Sequence, residues 1–288
     1  MYGRAEGVIG ELAAKLRLRD SLFIATKVWT AGKQAGVEMM ERSMDRFQTK
    51  RIDLMQVHNL VDVETQMSSL REWKWKGRIR YTGITHSQAR GFGEVERIMR
   101  SQKPDFVQIN YSVMEPGAAQ RILPLAQELR MAVIINRPFG GGGLFERVRA
   151  KQLPNWAAEF DCRSWAQFFL KWIIANSAVT CAIPATNNPN HLEDNLHEGC
   201  WPASRRKNAS ANGRVRFGGV ASRAIGNALA AARPLPQLEK TLRFFTKSVA
   251  EAGDMLDRGR FPCEKSFPSR LLAPFAWLFL RRNPKRPI

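Results

Sequence analysis

Three polar residues stand at the ends of short apolar runs. Tyr2 lies in Met-Tyr-Gly-Arg-Ala-Glu, Lys27 closes Phe-Ile-Ala-Thr-Lys, and His58 closes Asp-Leu-Met-Gln-Val-His. A phenol, an ammonium and an imidazole gathered at one mouth can protonate a carbonyl oxygen. A phenol titrates near about 10 in water, so donation near neutrality needs a positive neighbour that favours the phenolate. Lys27 offers that charge, since an ammonium at the inner end of an apolar strand is costly unless something uses it. His58 can donate a hydrogen bond to the same oxygen. Taken singly, each has an ordinary reading as a surface or locally satisfied group, and a tyrosine so near a terminus as a frayed aromatic. Only the combination points to chemistry.

Such a mouth needs elements that bring strand ends together. Short runs rich in Val, Ile and Phe predict strands over 23–28, 53–58, 79–85, 105–112, 132–138 and 179–184. Amphipathic stretches between them predict helices near 35–48, 64–76, 91–102, 117–130, 163–176 and 190–198, after an opening helix near 5–17 with Val8, Ile9, Leu12 and Leu16 inward. In the helix near 35–48, Val37, Met40, Met44 and Phe47 form one apolar face. Strands alternating with helices imply an α/β fold with a parallel sheet, either doubly wound or closed as a (β/α)8 barrel. Lys27, His58, Thr85, His86, Gln108, Asn136, Arg137 and Thr186 all fall at or near strand ends, as a barrel mouth demands, and no glycine-rich turn follows the first strand. The expected fold class is therefore α/β, a partial (β/α)8 TIM barrel of six strand–helix units over residues 1–199, with an irregular basic tail over 200–288.

These segments, in order and spacing, resemble the aldo-keto reductase family, most closely a bacterial branch. The resemblance rests on Tyr2-Gly3-x-x-Glu6, Ile24-Ala25-Thr26-Lys27-Val28, Asp53-Leu54-x-x-x-His58, Gly77-x-Ile79-Arg80-x-x-Gly83-Ile84-Thr85, Gln108-Ile109-Asn110-Tyr111, Asn136-Arg137-Pro138-Phe139 and Ile183-Pro184-Ala185-Thr186. It implies NADPH-dependent reduction of a small aldehyde or ketone, with Tyr2 as general acid, Lys27 lowering its pKa and His58 orienting the carbonyl. It also implies that Thr85, His86 and Gln108 hold the nicotinamide carboxamide. Asn136 stands where many members stack a Tyr on the nicotinamide ring. Thr186, His191 and Asn195, with Ala185, stand where the family surrounds the adenosine 2′-phosphate, with two cations fewer than usual. Gly140–Gly143 after Arg137 can admit a pyrophosphate, or be a plain loop. The family pattern carries two strands and an Asp ahead of its tyrosine, so the expectation for the chain as written is an amino-truncated barrel with Lys27 lacking its ion-pair partner, poorly soluble and inactive.

Composition narrows the alternatives. The 288 residues carry a net charge of +19, but residues 1–199 hold 27 Lys and Arg against 21 Asp and Glu, whereas residues 200–288 hold 18 against 5. The basicity belongs to the tail, and a nonenzymatic basic binding module, or a barrel remnant serving as a subunit, is the competing reading. No specific nucleic-acid signature accompanies the charge. Cysteines 162, 181, 200 and 263 form no C-x-x-C pair, which predicts reduced thiols, no metal site and a cytoplasmic location. No apolar run reaches 18 residues, which predicts no membrane span. Oligomeric state is not encoded in any of these features. From Cys200 onward the periodicity fades. Codons permitted for residues 200–212, read one base later, spell Ala-Gly-Arg-Leu-Pro-Asp-Glu-Lys-Thr-Arg-Gln-Arg-Met, which resembles the family's carboxyl-terminal helix entry. A frameshift near 200 is therefore expected, with a genuine basic extension as the alternative.

Overall fold

The computed structural model describes residues 4–197 and 278–280. These fall into two compact units, one built from the described residues of 4–109, 124–133 and 278–280, the other from 110–123 and 134–197. The expectations for Tyr2 and for nearly all of 200–288 lie outside the described residues.

The first unit is a parallel ladder. Leu22–Val28 (β1), Ile52–His58 (β2), Ile79–His86 (β3) and Phe106–Asn110 (β4) lie in the order β1-β2-β3-β4, each pair parallel. Parallel neighbours require a crossover, and Lys33–Arg46 (α2), Val63–Trp75 (α3) and Phe92–Gln102 (α4) supply it, after Ala5–Lys15 (α1). β2 is buried along Ile52–Val57, because helices cover one face and the inward face packs on itself. Met40, Met44 and Phe47 are buried as the α2 spacing predicts. In α1 the buried residues are Ala5, Gly10 and Ala13, with Val8, Ile9, Leu12 and Leu16 only half-buried, so small side chains rather than the large ones face inward. Leu278–Leu280 pairs antiparallel with Leu22–Ile24 on the outer edge of β1.

Asp53 is the polar anchor of this unit. Its carboxylate accepts from the Ile24 N–H at 2.9 Å and from Arg80 at 3.0 Å, with Arg19 at 3.6 Å. A buried carboxylate is tolerable here because two cations and a backbone donor satisfy it. Asp105 plays the same part for β3, accepting from the Thr82 N–H and hydroxyl and from Lys74. Ala132–Asn136 (β5) starts in this unit, with the Ala132 N–H donating to the Asp105 carbonyl at 3.0 Å.

The second unit contains the rest of β5, which pairs in parallel with Cys181–Ala182 (β6). Ile122–Glu128 (α5) has its first two residues in this unit and the remainder in the first. Gly143–Val148 (α6), Trp165–Ile174 (α7) and Pro189–His197 (α8) complete it. Its core is aromatic: Tyr111 stacks on Trp172 at 5.0 Å, and Phe169 meets Trp165 at 5.6 Å and Phe145 at 6.1 Å. Ser164 caps α7 by accepting from the Gln167 N–H, and its hydroxyl donates to Asp194 of α8 at 2.6 Å.

Six parallel strands alternating with helices make this a partial (β/α)8 barrel. The expected strand over 179–184 shortens to two residues, since Pro184 has no N–H for a ladder. The helix expected over 117–130 is a 3-10 turn at Pro116–Gln120 followed by α5, broken at Arg121.

Candidate functional site

Strand register places six residues on one face. Lys27 pairs with Gln56, Gln56 with Gly83, His58 with Thr85, and Thr85 with Gln108. Alternate residues of a strand share a face, so Lys27, Gln56, His58, Gly83, Thr85 and Gln108 all look the same way, near the carboxyl ends of β1 to β4. Below them on that face lie Phe23, Tyr81 and Phe106, whose ring centroids are 5.4 to 6.1 Å apart. A polar mouth thus rests on an aromatic floor of half-buried rings.

Lys27 is 3% exposed. Burial pushes its pKa down to about 7, and the negative charge of Glu6 pulls part of the way back. Glu6 accepts from the Thr26 hydroxyl at 2.6 Å and the Ser43 hydroxyl at 3.0 Å and pairs with Arg46 at 3.2 Å, so the carboxylate is fixed. Lys27 was expected to lack the Asp that pairs with it in the family; the negative charge that acts on it here is Glu6, in the first turn of α1. His58 is pushed down to about 4 by burial and then by the positive charges of Lys27 and His86, so its ring is neutral at physiological pH. Its Nδ1 is buried without a hydrogen bond among the described residues, and the Trp29 ring meets its ring edge-on at 5.4 Å. The structure therefore brings together Lys27, His58 and His86. His86 Nδ1 lies 3.0 Å from the Gln88 carbonyl oxygen.

Thr85 and Gln108 are buried at the ends of β3 and β4, and Gln108 Oε1 accepts from Gln56 Nε2 at 3.2 Å. Gln56 and Trp29 carry no sequence signal of their own: each shares a face with a recognised neighbour two residues away, which becomes informative only once register is known.

In the second unit, Asn136 ends β5 with its Oδ1 buried and unpartnered among the described residues. Arg137 follows at φ 50° and is exposed. Gly140, Gly141 and Gly142 then take φ 59°, 66° and 99°, a turn that only glycine makes without strain. The turn closes on itself, the Gly140 N–H donating to the Arg137 carbonyl at 2.9 Å and the Gly142 N–H to the Phe139 carbonyl at 3.0 Å. The Thr186 hydroxyl oxygen accepts from the Asn188 N–H at 3.1 Å, His191 is exposed on α8, and Asn195 of α8 is buried.

Residues 1–202 match the model of the aldo/keto reductase family. The chain belongs to this family of oxidoreductases. Among curated relatives, it is 27% identical over 198 residues to methylglyoxal reductase YeaE of Escherichia coli, covering 67% of this chain and 69% of the relative. It is 27% identical over 150 residues to aldo-keto reductase YhdN of Bacillus subtilis, covering 46% of this chain and 44% of the relative. Solved structures share the fold. Aldo-keto reductase AKR11C1 of Bacillus halodurans, in its holo form, gives a TM-score of 0.57 at 21% identity over 68% of this chain and 72% of its own. An aldo/keto reductase of Klebsiella pneumoniae, in complex with NADP and acetate, gives 0.55 at 23% over 67% of this chain and 69% of its own. No helix among the described residues is long and apolar enough to cross a membrane.

Proposed function

We propose that this aldo/keto reductase moves a hydride between NADP(H) and a small carbonyl compound. The observation that carries the reading is Lys27 beside His58, at the ends of paired strands, close enough for one charge to depress the other's titration. Bound NADPH supplies the hydride. Addition at the carbonyl carbon moves the π pair onto oxygen, and the Tyr2 hydroxyl delivers a proton there, giving the alcohol. The ammonium form of Lys27 steadies the phenolate until solvent reprotonates it, and neutral His58 offers its ring N–H to the carbonyl oxygen.

Thr85, His86 and Gln108 hold the carboxamide, and Asn136 offers an acceptor where an aromatic ring would stack. The Gly140–Gly142 turn with Arg137 suits a pyrophosphate, while Thr186, His191 and Asn195 suit the adenosine phosphate. Because no Lys or Arg stands at those last positions, preference for NADPH over NADH is weaker than a cationic pocket would give.

The test is loss of nicotinamide absorbance with methylglyoxal, a reactive aldehyde suggested by the name of the Escherichia coli relative. It is run on this chain and on this chain joined to the two strands and Asp that the family carries ahead of its tyrosine. Turnover falling about 10²- to 10⁴-fold in Tyr2→Phe supports the assignment. No turnover in either form, or equal turnover without the hydroxyl, overturns it.

A further inference from the structure

We infer that Gln56 is a positioning residue: it reaches past Gly83 to hold the Gln108 amide in one orientation, oxygen inward, so that Gln108 offers its NH2 to the ligand. The inference rests on the reading that Gln108 meets the nicotinamide carboxamide.

Gln56 and Gln108 sit on β2 and β4, which are not neighbours. β3 runs between them, and the residue that β3 sets opposite Gln56 is Gly83. A Cβ at Gly83 would lie 2.8 Å from Gln56 Cγ, closer than atoms can pack, so the missing side chain is what lets Gln56 cross. Its Nε2 then donates to Gln108 Oε1 at 3.2 Å, with both residues buried.

Gln56 Oε1 is buried with no partner among the described residues. A half-satisfied buried amide is a poor structural choice, since a leucine would fill much of the same space without the desolvation cost. What glutamine provides and leucine does not is direction. An amide presents an acceptor at one end and donors at the other, and Gln108 alone has little reason to prefer either. A nicotinamide carboxamide has the same ambiguity. With its oxygen turned toward Gln56, Gln108 faces its NH2 the other way, which selects the carboxamide oxygen as its partner.

The test compares binding of NADP+ with binding of its 3-acetylpyridine analogue, which keeps the carbonyl and replaces the amide NH2 by methyl. Quenching of tryptophan fluorescence on the full chain reports both. The wild-type chain is expected to bind the two within a few-fold. In Gln56→Glu the carboxylate can only accept, so Gln108 turns its NH2 inward and its oxygen outward. NADP+ can still donate to that oxygen, whereas the analogue cannot, and its relative affinity drops about tenfold. A purely packing role would weaken both ligands alike, so an unchanged ratio in Gln56→Glu overturns the inference.

A second measurement needs no ligand. Side-chain NH2 exchange by NMR should show one glutamine pair slowed and lost in Gln56→Leu. Fast exchange of the Gln56 NH2 overturns the inference even if Gln56→Glu fails to fold. A wild-type chain that binds neither dinucleotide sinks the proposed function instead, and the exchange measurement still decides the orientation of Gln108.

Discussion

Lys27 couples proton chemistry to stability. Free in an unfolded chain it titrates near about 10.4, whereas in the fold burial brings it to about 7. Between those values the unfolded chain holds the extra proton, so stability rises with pH from about 7 to about 10 and levels off above. Below about 7 the fold carries the full cost of the buried ammonium. Lys27→Met should abolish this slope, raising stability at pH 7 by on the order of a few kcal/mol and leaving it nearly unchanged at pH 10. Urea midpoints for both proteins at the two pH values check it, and parallel curves would contradict the burial argument. His58 acts in the same sense lower down, since its pKa is depressed from 6.5 to about 4, and stability it contributes as a neutral ring fades as pH falls through that window. The counter-charge at Glu6 was legible only as part of a motif. That it sits on Thr26, Ser43 and Arg46 depends on how α1 lies on β1 and α2, which no local pattern reveals.

At the scale of elements, α7 shows how a short polar segment can fix a helix. Ser164 accepts from the Gln167 N–H and donates to Asp194, while Gln167 Nε2 donates to Asp194 at 2.7 Å. Ser164→Ala removes both the cap and the link to α8 and should cost about 1 to 2 kcal/mol, measured by chemical denaturation. A loss below a few tenths would mean that water replaces the hydroxyl. The strands were legible because each is an apolar run ended by a polar residue, and α2 because Met40, Met44 and Phe47 recur at helical spacing. Less was legible where competing chemistry won. The expected strand over 105–112 loses Asp105, Tyr111 and Ser112: the Asp105 carboxylate turns to Thr82 and Lys74, and Ser112 exchanges backbone hydrogen bonds with Glu115. The six residues of α6 are too few for a period to register. At the site, Lys27, His58, Thr85 and Gln108 could be read from strand ends, but Gln56 could not, because its role depends on which residues lie across two ladders.

For the whole molecule, charge and chemistry separate along the chain. Residues 200–288 carry 18 Lys and Arg against 5 Asp and Glu, while in the first unit many cations are paired, among them Arg46 with Glu6, Arg80 with Asp53, Lys74 with Asp105 and Arg97 with Glu64 and Glu94. Binding to polyanions should therefore be steeply salt-dependent and indifferent to sequence, with heparin and random DNA competing equally in a filter assay. A preference for one DNA sequence that survives added salt would contradict it. The Gly83 gap reaches beyond this one chain. Positions 56 and 83 share one space, bounded also by Leu54 and the Phe106 carbonyl, so a side chain fits at 83 only where the one at 56 gives way. Across related sequences the two should change together, a long polar residue accompanying glycine and a shorter one accompanying alanine or serine. A mutational survey of either position alone would report intolerance and miss that the constraint belongs to the pair.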